Sequence, residues 1–399
     1  MQDHSGESPG ANLFDRHPAA ASWRFGIVEV LRSARHAISL RLLSIQIAAY
    51  APGYAIYFLL TYLSWLLAGR APASVWAEWG LLPCFFVGDQ PRPLWSWMVY
   101  GFGVAALVIA FFSSNAAGSR MLWMKWRGHD AYSVREAYDF AIAKMSAILM
   151  APAAIIFVSV LLAGGGWLVG TFGRIPYLGE LLVTGFAWLW MLAALVLLLM
   201  VAIAAFALIL APAIVATTEA NAAEAIFQTV SIFWRRPWRL LLYLAEVIAV
   251  AIVGLIVSAF LVNRAFLLMD AMFANAMGAD YQKLSTQAQY LLQSWSAANQ
   301  KLFSFAPGLA SQFFFSNYTA TPLALAPWFD VLAHILAFSL LFTAVWVLAY
   351  PLAIINSGLA VTYLLLRQAT EGETPFSGEK NFSGENSLER YEADEPTSP

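Results

Sequence analysis

Long apolar runs separated by short polar breaks dominate this chain. A hydrocarbon core about 30 Å thick needs roughly 20 apolar residues in a helix. Six runs are that long, at about 44–68, 94–114, 147–170, 183–211, 240–263 and 328–354. The pattern predicts an all-α fold, a polytopic membrane helical bundle of six transmembrane helices. The sixth run meets Pro351 and goes on as LAIINSGLAVTYLLLR. About 15 residues make a short span, so this coda reads as the same helix carried past a kink. Pro52, Pro152 and Pro212 are further kink positions.

Three stretches leading into odd-numbered spans are amphipathic, with apolar residues at helical spacing on one face. FGIVEVLRSARHAISLRLLS aligns Ile27, Val30, Leu31, Ala34 and Ile38. SVREAYDFAIAKMSAILMAPAA aligns Val134, Tyr138, Ala141, Ile142 and Met145. EAIFQTVSIFWRRPWRLLLYLAEV aligns Ile226, Phe227, Val230, Phe233 and Trp234, with Gln228, Thr229 and Ser231 off that face. Each has an early glutamate, at Glu29, Glu136 and Glu224. The order predicts three repeats of cytoplasmic amphipathic helix plus helical pair. A fourth stripe lies in the 264–327 connection, where Tyr281, Leu284, Ala288, Leu291, Trp295, Ala298 and Leu302 recur at threes and fours. It predicts an amphipathic helix over 280–303 with a Gln and Ser outer face, preceded by a shorter helix in RAFLLMDAMFANAM. This outer cap covers the bilayer surface or bundle, or docks a membrane-protein partner.

Charge gives the orientation. Sixteen lysines and arginines fall on the side of the N-terminus, 115–146, 212–239 and the C-terminus. Six fall opposite: Arg70, Arg92, Arg174, Arg264, Lys283 and Lys301. By the positive-inside rule both termini are cytoplasmic, and the chain reads as a multi-pass protein of a bacterial inner membrane. Composition agrees with membrane residence: 60% of residues are hydrophobic and 12% charged, with mean hydropathy +0.66, where globular domains carry about 25% charge. Net charge −2 gives no sign of a nucleic-acid partner, and the lone Cys84 excludes an intrachain disulfide. Residues 1–22 lack a signal-peptide pattern and read as a disordered cytoplasmic N-terminus, 23–368 as the transmembrane domain. The stretch 369–399, with FSGE twice, is acidic and reads as a disordered cytoplasmic tail.

Catalytic signatures are missing from the sequence: there is no H-E-x-x-H, P-loop or G-x-S-x-G. No catalytic residue, metal ligand or cofactor is assigned, and His129-Asp130 reads as a loop dipeptide. Gly164, Gly165, Gly166 and Gly170 read as close-packing positions. Intramembrane ionisable residues are the remaining candidates. Glu246 lies within span five, with Arg239 seven residues before it and Tyr243 between them on one face. It reads as a carboxylate bonded to a neighbour, or as a coupling-ion site. Asp330 and His334 share a face, and Asn356-Ser357-Gly358 forms a packed kink or a broken-helix site. Arg235, Arg236 and Arg239 are candidate anchors for anionic lipid headgroups, with Trp234 and Trp238 in the interfacial belt. Pro237 favours a corner between interfacial helix and span.

The segment 208–247 resembles the bacterial six-span membrane domain associated with some glycerophosphoryl diester phosphodiesterases, and related stand-alone membrane proteins of unknown function. Pro212, Glu219, Glu224, Ala225, Arg236, Trp238 and Arg239 carry the resemblance. It implies topology and no functional residue, and the chain has no room for the phosphodiesterase barrel. The expected function is a non-enzymatic scaffold or accessory subunit of a membrane assembly. The alternative is a small-molecule or lipid transporter with a polar site near Glu246.

Overall fold

The computed structural model describes residues 27–86, 92–129, 131–297 and 320–371. Residues 1–26, Asp130, Ala298, Leu302 and the tail beyond Glu371 lie outside the described residues. Among the described residues there are twelve helices and no strand. Six are long and apolar enough to cross a membrane: α2 (Leu40–Leu67), α4 (Leu94–Trp126), α6 (Met145–Phe172), α8 (Ala187–Thr218), α10 (Pro237–Met277) and α12 (Pro327–Glu371). The chain is an integral membrane protein with an all-helical, six-span fold.

Short helices precede the odd-numbered spans: α1 (Ile27–Ala37), α5 (Val134–Ala143) and α9 (Ala222–Arg235). Their starts are set by local chemistry. Ser133 and Glu136 form a reciprocal capping box on α5, satisfying two of the helix's orphan donors. Those bonds hold the Glu136 carboxyl below the usual carboxylate range. Asn221 caps α9 by accepting from the Glu224 amide at 2.9 Å. The buried faces differ from the predicted stripes. Val30, Ser33 and Ala37 are buried on α1, Ala137 and Ala141 on α5, and Ala225, Thr229 and Ile232 on α9. Leu31, Ile38, Ile142, Phe227 and Trp234 stay exposed. Each apolar stripe is wider than its contact with the bundle. One edge, lined by small residues four apart, packs inward, and the other is left for a second apolar medium. Thr229 can be buried because its hydroxyl donates to the Ala225 carbonyl at 2.8 Å.

The spans pack chiefly as consecutive pairs, α2 with α4, α6 with α8 and α10 with α12. They converge at the end bearing α1, α5 and α9, where one core joins Leu42, Ile45, Phe112, Ala117, Ile214, Leu240, Ile354 and Tyr363. The expected connection at 115–146 begins later than its polarity suggests, because α4 stays helical to Trp126 with residues 112–123 buried. The coda after Pro351 is a continuation of α12, with the proline inside the helix. Residues 356–366 are buried on every side, as in a helix at the centre of a core. The helix also runs through Ala369, past the expected start of the tail.

At the other end α10 and α12 run on. At 1.5 Å per residue they reach about 60 Å, roughly twice the hydrocarbon thickness. The separate helix expected in RAFLLMDAMFANAM is the end of α10, which has no break before Gly278. Helix α11 (Ala279–Ala297) packs against α12, burying Tyr281, Ala288, Leu291 and Leu292. Its Gln and Ser side is not a free outer face. Ser285, Gln287 and Gln289 are buried, with Ser285 donating to Asp270 and Gln287 to Asp330 and accepting from the Leu323 amide. Two short helices, α3 (Pro72–Trp79) and α7 (Leu178–Gly185), complete this end. Here Arg92 stacks over Trp65 and Phe85 at 4.4 and 4.5 Å. The α6–α8 pair by contrast exposes most of its length, including Phe157, Leu161, Trp167, Trp188, Leu192 and Leu195. A Cβ on Gly164, Gly165, Gly166 or Gly170 would meet nothing within 4 Å. The close packing expected of that cluster is not made among the described residues.

Candidate functional site

The α9–α10 junction is the corner that its sequence predicts. α9 ends at Arg235, Arg236 leaves helical geometry at φ −140° and ψ 50°, and Pro237 opens α10. Proline disfavours helical backbone in the residue before it and needs no partner for an N–H it lacks. Arg235, Arg236 and Arg239 are exposed, as are Trp234 and Trp238 at 70% and 80%. One of these side chains reaches back into the protein: Arg236 Nη2 donates to the Ala369 carbonyl at 3.3 Å, tying the corner to the end of α12.

Arg239 and Glu246 are not brought together. No ion pair joins them among the described residues. Both Glu246 carboxyl oxygens are shielded from solvent without a hydrogen-bond partner. Tyr243, half-buried, packs on the core beside Val247. A shielded polar group without a partner costs about 1–3 kcal/mol. Glu246→Met is therefore expected to raise the melting temperature of the purified chain in detergent. A fall would reveal a partner for the carboxylate and sink this account.

Sequence reasoning singled out Asn356 and Ser357 but missed their partners, which lie where α2, α4 and α12 meet. Asn356 Nδ2 donates to Gln46 Oε1 at 3.1 Å and to the Ser114 carbonyl at 3.0 Å. All three residues are buried. Gly118 makes room, since a Cβ there would stand 3.3 Å from Asn356 Nδ2. Ser357 Oγ lies 3.1 Å from the Ser33 carbonyl of α1. The helix is unbroken through Asn356-Ser357-Gly358, so these residues are packing and bonding positions within a continuous helix. A turn further along α4, Arg120 bonds Glu219 at 2.7 Å and the Ala216 carbonyl at 3.2 Å, and stacks over Phe140 at 4.3 Å. Glu219 can receive it because it caps α8 in the left-handed region at φ 58°.

Near α1, burial first, then the Lys125, Arg35 and Arg32 cations, hold His36 below the usual imidazole range. It meets the edge of Trp126 with centroids 6.0 Å apart. His334 bonds locally, its Nδ1 lying 2.8 Å from the Asp330 carbonyl, to which it donates in the tautomer protonated there. Among the described residues no three His, Cys, Asp or Glu side chains gather where a metal ion could be held. No family model matches the chain, and no curated protein or solved structure matches it.

Proposed function

We propose that this protein is a non-enzymatic scaffold or accessory subunit of a larger membrane assembly, with both termini on the cytoplasmic side of a bacterial inner membrane. The observation that carries this reading is the burial of residues 356–366 on every side. The end of α12 fills the core where the spans converge, and its Asn356, Ser357 and Tyr363 side chains bond to neighbouring helices instead of lining a passage. Two further features support it. The exposed apolar length of α6 and α8 offers a broad face to lipid or another membrane protein. The buried small pairs Ser33/Ala37, Ala137/Ala141 and Ala225/Thr229 recur at a spacing of four in the three helices before odd-numbered spans, which favours internal repetition. The resemblance at 208–247 adds topology to this reading and no activity. Basic residues at the α9–α10 corner are anchors for anionic headgroups, at about 1 kcal/mol each.

In a gentle detergent extract of native membranes, the chain is expected to migrate well above the size of the purified chain in native electrophoresis. Identical migration in both samples would defeat the assembly reading. Transport is the second reading, and the shielded, unpartnered Glu246 favours it. A transporter working through that carboxylate would lose its cellular function in Glu246→Gln while staying folded. A scaffold would not.

A further inference from the structure

Three arginines crowd the α9–α10 corner within five residues. Arg235 and Arg239 are exposed, and among the described residues no ion pair or hydrogen bond engages either guanidinium. Arg236 spends one donor on the Ala369 carbonyl at 3.3 Å, out of the five that a guanidinium carries. The nearest acids along the chain do not balance this charge. Glu224 is at the far end of α9 and engaged by Gln228 at 3.0 Å, and the Glu246 oxygens are shielded. Aromatic surface is uncovered here as well, at Phe227, Trp234 and Trp238. Phe227 and Trp234 stand seven residues apart on one edge of α9, about 10 Å along its axis.

The chain carries the complement of this surface. The Arg236–Ala369 bond fixes the end of α12 beside the corner, and α12 ends at Glu371. From there to residue 399 the sequence has eight acidic and two basic residues. It holds FSGE twice, at 376–379 and 382–385. Each copy sets a phenylalanine three residues before a glutamate, Phe376 with Glu379 and Phe382 with Glu385. A carboxylate matches the guanidinium fork, and a phenylalanine ring packs favourably on an exposed aromatic edge. Fourteen residues separate Glu371 from Glu385, a reach of up to about 50 Å. The stretch from Phe227 to Arg239 is no longer than a helix of its length, about 18 Å, so both copies reach it. Exposed ion pairs are individually weak, and the tether offsets that by making the encounter intramolecular.

We infer that the acidic segment 371–399 docks on this corner, with its FSGE copies set against Arg235, Arg239 and the exposed aromatic edge of α9. The inference rests on those arginines being open to an anion, as headgroup anchoring also requires, and the test separates the two occupants. The full chain in a Cys84→Ser background carries spin labels at Ala223→Cys, on the exposed side of α9, and at Ser383→Cys. It is diluted with unlabelled chain in detergent, so that the distance read lies within one molecule. A short, narrow distance population is expected. It should shrink several-fold in Glu379→Gln/Glu385→Gln, in Arg235→Gln/Arg239→Gln and at raised ionic strength, and not in Arg174→Gln at the opposite end. If the arginine variant fails to fold, the glutamate variant carries the test, since its substitutions lie outside the described residues. In phosphatidylcholine nanodiscs the short population should persist, and phosphatidylglycerol should reduce it, because headgroups seek the same guanidiniums. Identical distances in wild type and the folded charge variants overturn the docking. If phosphatidylglycerol then still binds wild type in preference to Arg235→Gln/Arg239→Gln, the corner belongs to headgroups alone. A short population that phosphatidylglycerol leaves untouched places the segment elsewhere and overturns the site as well. Distances within one chain do not depend on orientation or assembly, so failure here would leave the scaffold reading standing.

Discussion

Asn356→Leu is expected to destabilise the chain by about 1–3 kcal/mol, and Gln46→Met on the same background to recover much of that loss. The argument starts from donor counting. Asn356 Nδ2 supplies the hydrogen bonds to Gln46 Oε1 and the Ser114 carbonyl. Gln46 Nε2 is already buried without a partner, so a leucine in place of Asn356 would leave the whole Gln46 amide orphaned. An orphaned buried polar group costs about 1–3 kcal/mol, whereas replacing both partners with apolar groups of similar shape is nearly neutral. Interhelical bonds measured in a membrane protein average only about 0.6 kcal/mol, because the unfolded state in lipid also finds partners. The single variant's loss is thus set by the orphaned amide more than by the lost bond. Thermal melts of both singles and the double variant in one detergent form a cycle. If the double loses as much as the two singles summed, the groups are independent and the bond is not what joins these helices.

The six spans were legible because length and apolarity alone decide whether a helix crosses a bilayer. What hydropathy hides is where a helix stops. SSNAAGSR reads as the start of a loop, yet α4 continues through it because Ser114, Asn115 and Ser119 are buried against other helices. Likewise α12 continues past Pro351 because the residues beyond it are enclosed on all sides. Periodicity gave the amphipathic helices but rotated their buried faces. It ranks Phe227 and Trp234 with the core, although a stripe facing both protein and lipid has two partners and a sequence shows one pattern. In α11 the opposite happens. Polar Ser285, Gln287 and Gln289 are buried because Asp270 and Asp330, distant in sequence, meet that face. At the candidate site, the Arg236–Pro237 corner was readable from backbone chemistry that is local to two residues. The lack of an Arg239–Glu246 contact was not, since sharing a helix face does not bring exposed and shielded side chains together.

Gly358→Leu is expected to abolish recovery of folded, monodisperse protein, while Gly165→Leu is expected to leave it nearly unchanged. Sequence alone favours the opposite order, because the Gly164–Gly166 cluster looks like a packing motif and Gly358 stands by itself. The surroundings reverse it. A Cβ at Gly358 would lie 2.7 and 2.9 Å from the two methyl carbons of Val247, inside any contact that real side chains make. Val247 is itself fixed among Val30, Val361 and Leu365, and a β-branched side chain has little rotamer freedom in a helix. Relief would require α10 and α12 to separate, with α1 beside them. Gly358→Ala should cost about 1–3 kcal/mol, the usual range for overpacking. Gly254→Ala should cost less, because its nearest obstruction is the terminal Cδ1 of Ile354, which can swing away. At Gly165 nothing stands within 4 Å, so alanine there should even add about 0.5–1 kcal/mol through helix propensity. Detergent melts of the purified variants test the ranking. A Gly165→Leu variant that fell as far as Gly358→Leu would show that the glycine cluster is packed after all, and the lateral face assigned to α6 and α8 would have to be withdrawn.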